Sequence, residues 1–407
     1  MWRAIPILLV FFALGPVAPA RADLAGSLAR EMAAAGSASG AYVVNLTDGT
    51  TEFAWRARTG RILASNTKLF TTAAALARFG TDGTLGTEVL GSGESDEEGM
   101  WRGNLYLRGG GDPTFGSRRF ALRSYGAGAS VEALAAAVAD TGIERVSGRI
   151  VGDESNHDSL RGGPDSGYGV SIWVGPLSAL SFNRGLADDG GRGFQVNPPA
   201  FAAARLDAAL EARGVRVRLK PRSGGAPAQA EVLASVDSPP MSTLVRATNK
   251  ASDNFFAELL AKDLAMQARG LGTTAAGAGL AAGFARRLGA PARLADGSGL
   301  SRANRASPYR VVRLLRAMAE RDEFDAFYAS LPVAGRDGTL YDRMRRGPAR
   351  RRCRAKTGTL SDVSALSGYC TSLSGDLFAF SMLMNGVYPS SARRLQDRMA
   401  QAIARQR

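Results

Sequence analysis

A change of texture between Leu85 and Pro239 constrains the fold more than any other feature of the chain. Upstream, a short Ala-rich helix is expected over Leu24–Ala35. A hairpin follows, in which GAYVVNL and TEFAWRA flank the turn Thr47-Asp48-Gly49-Thr50. The stretch Asn66–Phe79 reads as a helix with Leu69, Phe70, Ala73, Ala74, Leu76 and Ala77 on one face, Ser65 at its N-cap and Gly80 at its stop. Downstream, helices return over Met241–Thr248, Asn254–Ala268, Thr274–Leu288 and Pro308–Ala319. CRAKTGTL, ALSGYC and LFAFSMLMNG then form an antiparallel meander, before a last helix from Ser391.

The middle differs. LGTEVLGSGESDEEGMWRGNLYLRGGGDPTF alternates strands with Gly-rich turns. Helices near Val131–Thr141 and Phe201–Ala212 are set among GFQVNPP and the strands RVSGRIVGD, VRVRLKP and AEVLASVDS. Two ends of one texture around a middle of another read as a discontinuous domain, 23–84 plus 240–407. It carries an inserted strand-rich region, 85–239, closed by Pro239-Pro240. The fold class is α/β, in the α+β sense. The chain beyond its leader, about 385 residues, exceeds what one core usually serves.

That leader is residues 1–22. Arg3 supplies positive charge, Ala4–Pro19 is apolar, and Ala20-Arg21-Ala22 fits the small-x-small cleavage rule. The run falls short of the ~20 apolar residues a spanning helix needs and is broken by Pro6 and Pro16. The expectation is a signal peptide cleaved after Ala22 and a periplasmic, exported protein. A net charge of +14 then favours anionic wall polymers or lipid headgroups over nucleic acid as partners, with plain solubility as the alternative. A metal site is not expected and no cofactor is implied. His157 is the only histidine, it lies in the polar stretch GDESNHDSL, and it reads as a surface residue.

Lysine is scarce. Of 51 basic residues only five are lysine: Lys68, Lys220, Lys250, Lys262 and Lys356. Arg stays protonated in proteins, whereas a desolvated Lys can serve as a neutral base. Two of the five fall into a set of three short motifs: Ser65-Asn66-Thr67-Lys68, Ser252-Asp253-Asn254 and Lys356-Thr357-Gly358. In this order the set is the signature of penicillin-binding proteins and class A β-lactamases.

Each placement has its own physics. Ser65 at a helix start meets the positive end of the dipole, which favours a developing alkoxide. Lys68 is three residues on, so its amine sits beside the Ser65 hydroxyl. Lowering a lysine from ~10.4 to ~7 requires roughly 4–5 kcal/mol of differential destabilisation of the ammonium. Burial and a second cation, Lys356, would supply it. Ser252 and Asn254 share a turn between helices and would point into one cleft. Gly358 would let substrate backbone lie along the strand.

The chain resembles the D-alanyl-D-alanine carboxypeptidase/endopeptidase family of penicillin-binding proteins. The resemblance extends to ASNTKLFTTAAAL, GGGDPTF, PLSALSFN, DGSGLSRAN, LPVAGRDGTL and KTGTLSDVSALSGY. It implies a β-lactamase/transpeptidase-like domain, in which an antiparallel sheet is flanked by helices. It also implies a serine peptidase acting on peptidoglycan stem peptides through an acyl-enzyme, with β-lactams as covalent inhibitors. By carry-over, Ser65 is the nucleophile and Lys68 the base. Ser252 and Asn254 form the second motif. Lys356, Thr357 and Thr359 grip a carboxylate, and the Ser65 and Thr359 N–H groups form an oxyanion hole. Asp153 is similar to a family position contacting the stem peptide's diamino-acid side chain; a turn aspartate is the alternative. Other readings are a β-lactamase-like hydrolase, which lacks its Glu-x-x-Leu-Asn motif here, and a silent wall-binding protein.

Two further expectations concern the end of the chain. A hairpin centred between Ser361 and Asp362 pairs Lys356 with Ser367 and Cys353 with Cys370, as a cross-strand disulfide or as two buried thiols. The basic run DRMRRGPARRRCRAK would draw in anionic wall, depress the pKa of Lys68, or simply be solvated. The terminal RRLQDRMAQAIARQR is a closing helix, with peripheral membrane contact as the alternative.

Overall fold

The computed structural model describes residues 23–188 and 191–407. The signal-peptide reading of residues 1–22 lies outside them.

The two ends of the chain share one sheet. Five antiparallel strands lie in the order Cys353–Leu360, Val363–Thr371, Leu377–Asn385, Ser39–Asn45 and Thr51–Trp55. The last strand of the meander pairs with the first strand of the chain, with Ser381 opposite Tyr42. Helices cover both faces. Leu24–Ala34 and Pro389–Ala404 pack on one side, with Leu28, Met32, Met399 and Ile403 buried against Met382 and Met384. On the other side Leu383 and Tyr369 meet a helical core built from Phe70, Leu76, Phe256, Leu260 and Leu315. Burial on both faces is why LFAFSMLMN is apolar without alternation. The terminal helix spends its apolar face on this core.

The hairpin register is as expected from the turn position. Cys353 pairs with Cys370, Lys356 with Ser367, and Leu360 closes against Val363. The cysteines form a disulfide with Cα atoms 4.0 Å apart.

A second, mixed sheet is made wholly of strands between Gly86 and Asp237. Glu231–Asp237, Gly86–Ser95 and Met100–Gly109 run antiparallel. RVSGRIVGD is two strands, Arg145–Val146 and Ile150–Asp153, both parallel to Met100–Gly109. Helices Val131–Ala139 and Pro198–Glu211 bury Leu134, Val138, Ala202 and Leu206 against it. The second helix starts earlier than Phe201 because Asn197 caps it and Pro198 fits its first turn. Only Arg216–Val217 of VRVRLKP is strand. Two helices were not expected, Arg118–Tyr125 and Phe324–Ser330. RRFALRSY is too polar to show a clear apolar stripe, and Phe324–Ser330 spans only 7 residues.

His157 corrects the surface reading. Its ring is buried, Nε2 lies 2.8 Å from Asp263 Oδ1, and Gly272 packs against the ring. Burial first, then the Lys262 charge, lowers its pKa to about 3, so the imidazole is neutral. Beside it Lys262 Nζ donates to Asp158 Oδ1 at 2.6 Å. These pairs join the inserted region to the helix Asn254–Arg269.

Candidate active site

The first motif does not open its helix as a simple cap. Ser65 is inside a 3-10 turn, Ala64–Asn66, that runs into the helix Thr67–Phe79. Asn66 takes the cap position but makes no capping bond. Its Nδ2 instead donates to the Lys356 carbonyl at 3.0 Å. The residue beside Ser65 therefore ties the first motif to the third.

Lys68, one turn on, is fully buried. Its Nζ donates to Ser65 Oγ at 3.1 Å, to Asn254 Oδ1 at 2.6 Å and to the Ser298 carbonyl at 2.6 Å. Burial brings its pKa down to about 8, while Asp296, Glu258 and Asp253 pull the other way. Burial is the expected cause; the further lowering expected from Lys356 or the basic run is not found. The charges facing Lys68 are carboxylates. Lys356 is itself held well below the ordinary lysine range, by burial first and by the Lys68 charge second.

The loop supplying the Ser298 carbonyl is built on two buried acids. Glu258 Oε1 accepts from the Gly297 and Ser298 N–H groups at 3.1 and 2.8 Å. Asp296 accepts from Gly299 and Ser301 N–H and from Asn304 Nδ2 at 2.6–2.7 Å. Burial raises Glu258 to about 7. Gly299 sits at φ +93°, and a Cβ there would fall 1.9 Å from the Ala64 carbonyl. Only glycine lets this loop reach the Ser65 turn.

The second motif turns on Ser252, a non-glycine residue at φ +58°. Such left-handed backbone costs about 1–3 kcal/mol and persists only where its surroundings hold it. Asp253, not Asn254, caps the following helix, accepting from Phe256 N–H at 3.1 Å, and it also pairs with Arg184. Asn254 is thereby free. Its Oδ1 faces Lys68, and its Nδ2 donates to the Trp173 carbonyl of the inserted region at 3.0 Å.

The third motif lies on the free edge of the five-stranded sheet. Ala355 N–H points outward to the Pro332 carbonyl. The two-residue alternation of a strand sends the Thr357 and Thr359 N–H groups to the same open side. Gly358 is needed because a Cβ would stand 3.0 Å from the Leu63 carbonyl and 3.1 Å from Ser65 N. The close approach is to the Ser65 turn. Lys356 Nζ donates to the Thr357 carbonyl at 2.9 Å, and the side chain is buried. Thr357 Oγ1 is 2.7 Å from Thr339 Oγ1, and Arg393 Nη2 donates to Thr359 Oγ1 at 3.0 Å.

These residues surround one cleft of about 950 Å³, lined among others by Ser65, Trp173, Ser252, Asn254, Thr357 and Arg393. Asp153 is elsewhere. It is buried on its strand, and its oxygens accept from the Ser155 and Ala226 N–H groups at 2.8 and 3.0 Å. Its side chain makes the turn-type contacts named as the alternative. Trp173, Arg393 and the Ser298 carbonyl had no role in the sequence reading. DGSGL hinted at the last, whereas Trp173 and Arg393 fall in no motif. Among the described residues no group of three or more His, Cys, Asp and Glu is arranged to hold a metal.

A buried amine on a serine hydroxyl beneath an open sheet edge defines the class: a serine acyl hydrolase with the β-lactamase/transpeptidase-like fold. The chain belongs to the D-Ala-D-Ala carboxypeptidase 3 (S13) family, whose model matches residues 20–186 and 191–406. It is 30% identical to the D-alanyl-D-alanine carboxypeptidase of Actinomadura sp. (strain R39), over 95% of this chain and 87% of that protein. The fold is shared with penicillin binding protein 4 (dacB) from Haemophilus influenzae. That match has a TM-score of 0.77 and 21% identity, covering 93% of this chain and 99% of that one. The Haemophilus protein has also been solved in complex with a β-lactam.

Proposed function

We propose that this chain hydrolyses the terminal D-Ala–D-Ala bond of peptidoglycan stem peptides, and D-Ala–diamino acid cross-links, from the periplasm. Ser65 is the nucleophile. With a pKa of about 8, roughly a tenth of Lys68 is neutral at pH 7. That amine takes the Ser65 proton as Oγ attacks the carbonyl carbon. The Ser65 and Thr359 N–H groups receive the oxyanion, a contribution of about 10²–10³ in rate per donor.

Collapse of the tetrahedral intermediate expels the amine, which takes a proton from Lys68 through the Ser252 hydroxyl. Water, deprotonated by Lys68, then releases the acyl group. Asn254 holds Lys68 and the substrate amide. Thr357 and Thr359, with Arg393, hold the substrate's terminal carboxylate. Lys356 supports this grip through its bond to the Thr357 carbonyl. β-Lactams acylate Ser65 by the same attack, a reading supported by the β-lactam complex of the Haemophilus protein.

The observation that carries this reading is the 3.1 Å contact between the buried Lys68 amine and Ser65 Oγ. A fluorescent penicillin tests it. Stable label on the wild type, absent in Ser65→Ala, is expected, together with release of D-Ala from a pentapeptide. No label, or label that survives Ser65→Ala, overturns it.

A further inference from the structure

A second concavity, of about 840 Å³, lies beside the cleft and is lined by Gly335, Tyr341, Met344, Arg345, Arg346 and Arg350. The segment Tyr341–Arg346 forms the wall between the two. Tyr341, Met344, Arg345 and Arg346 face the second concavity, while Asp342 and Arg343 line the cleft. The three arginines in the lining are exposed, and among the described residues none of them has an acidic partner. Arg343, on the same segment, is by contrast neutralised by Asp397 at 2.8 Å. Among the described residues no carboxylate lines the concavity. Tyr341 is 60% exposed at its rim.

The bowl is fixed in shape. Gln401 Nε2 donates to the Arg346 carbonyl at 2.7 Å, and its Oε1 accepts from Ala349 N–H at 2.9 Å. Arg351 N–H bonds the Ala334 carbonyl at 2.9 Å. Met344 and Arg351 are held at φ +52° and +61°, backbone that persists only where surrounding contacts impose it. Gly335, at φ +63°, lets the loop fold on itself, since a Cβ there would stand 2.9 Å from Arg345 Cα.

Unpaired guanidinium groups in a rigid setting are suited to bidentate recognition of carboxylates. The geometry points to this bowl as an exosite for polymeric peptidoglycan: it takes the free carboxylates of stem peptides neighbouring the one in the cleft. The inference rests on the function proposed above, because only a substrate continuing past the cleft wall would reach it. Each exposed guanidinium adds modestly, so the three act together. A short soluble stem peptide fills the cleft alone and gains nothing from them.

Co-sedimentation with purified cross-linked peptidoglycan tests this. Arg345→Ala/Arg346→Ala/Arg350→Ala is expected to weaken binding at low salt at least about tenfold. Amidating the wall's carboxylates is expected to weaken the wild type equally. The Lys triple variant keeps the charge but not the bidentate fork, so it should bind between the wild type and the Ala variant. Fluorescent-penicillin labelling and kcat/KM on a soluble pentapeptide should stay within about twofold in the Ala variant, which also shows that it folds. The exosite is overturned if the Ala variant co-sediments like the wild type, if amidated wall binds as well as native wall, or if the bowl arginines matter for anionic phospholipid vesicles and not for wall. A wild type that takes no penicillin label would sink the proposed function instead, and leave the sedimentation result to be read separately.

Discussion

Lys68 Nζ and Asn254 Oδ1 lie 2.6 Å apart, although 186 residues separate them in the chain. The same amide donates to the Trp173 carbonyl, so one side chain joins the amine of the first motif to the rim of the inserted region. Asn254→Ala removes both bonds and leaves a buried ammonium short of an acceptor. Acylation by penicillin is expected to fall about 10²–10³-fold, with stability lowered by about 1–3 kcal/mol. Stopped-flow acylation and denaturant unfolding measure the two effects. A variant that acylates at the wild-type rate would show that Asn254 does not position Lys68.

The pH profile follows from the buried amine. A free lysine titrates near 10.5, and Lys68 is brought to about 8. The protonated form is inactive as a base, so the acylation rate should rise tenfold per pH unit below about 8 and flatten above it. Lys68→Met should lose about 10²–10⁴-fold and show no such limb. A limb persisting in Lys68→Met would assign it to another group.

Glu258 bears on the same limb with a definite sign. Asp296 and Glu258 both favour the charged form of Lys68. Glu258→Gln keeps an oxygen for the Gly297 and Ser298 N–H groups and deletes the charge. The Lys68 pKa should therefore fall, and the acid limb should shift to lower pH by roughly half a unit to one unit. A shift to higher pH would contradict the electrostatics of the site.

What was legible in the sequence had local causes. The register of Cys353–Leu360 against Val363–Thr371 follows from where a two-residue turn sits, and with it the placing of Lys356 and the cysteines. Lys68 beside Ser65 follows from helical spacing. The contacts that were missed are decided by distant partners. Asn66 bonds the Lys356 carbonyl across 290 residues, and nothing near Asn66 announces it. His157 sits in a polar stretch, yet Asp263 and Gly272 bury it. Burial is rightly expected to lower the Lys68 pKa, but the added push from a second cation is not found. The sequence displays cations near the third motif, whereas the fold brings Asp296, Glu258 and Asp253 to the amine from two separate stretches of chain.

Gly299 offers a test of that loop. Any side chain there meets the Ala64 carbonyl at 1.9 Å, with φ at +93°. Gly299→Ala should cost about 2–3 kcal/mol of stability. It should also displace the Ser65 turn, so penicillin acylation should drop by more than the stability loss explains at temperatures where the protein remains folded. Wild-type acylation in a folded Gly299→Ala variant would mean that the loop does not set the position of Ser65.

Trp173 carries the last prediction. The indole is 67% exposed at the cleft wall, and Ile172 beside it is 81% exposed. Apolar side chains held this far into water by a loop whose backbone is fastened to Asn254 lose solvent contact when a substrate covers them. Burying part of an indole is worth about 1–2 kcal/mol. Trp173→Ala leaves the backbone carbonyl, and hence the bond from Asn254 Nδ2, in place. The expected result is a KM for a stem pentapeptide raised about tenfold with kcat within twofold, the mark of lost uniform binding. A fall in kcat at unchanged KM would show instead that the indole acts on the reacting groups through Asn254.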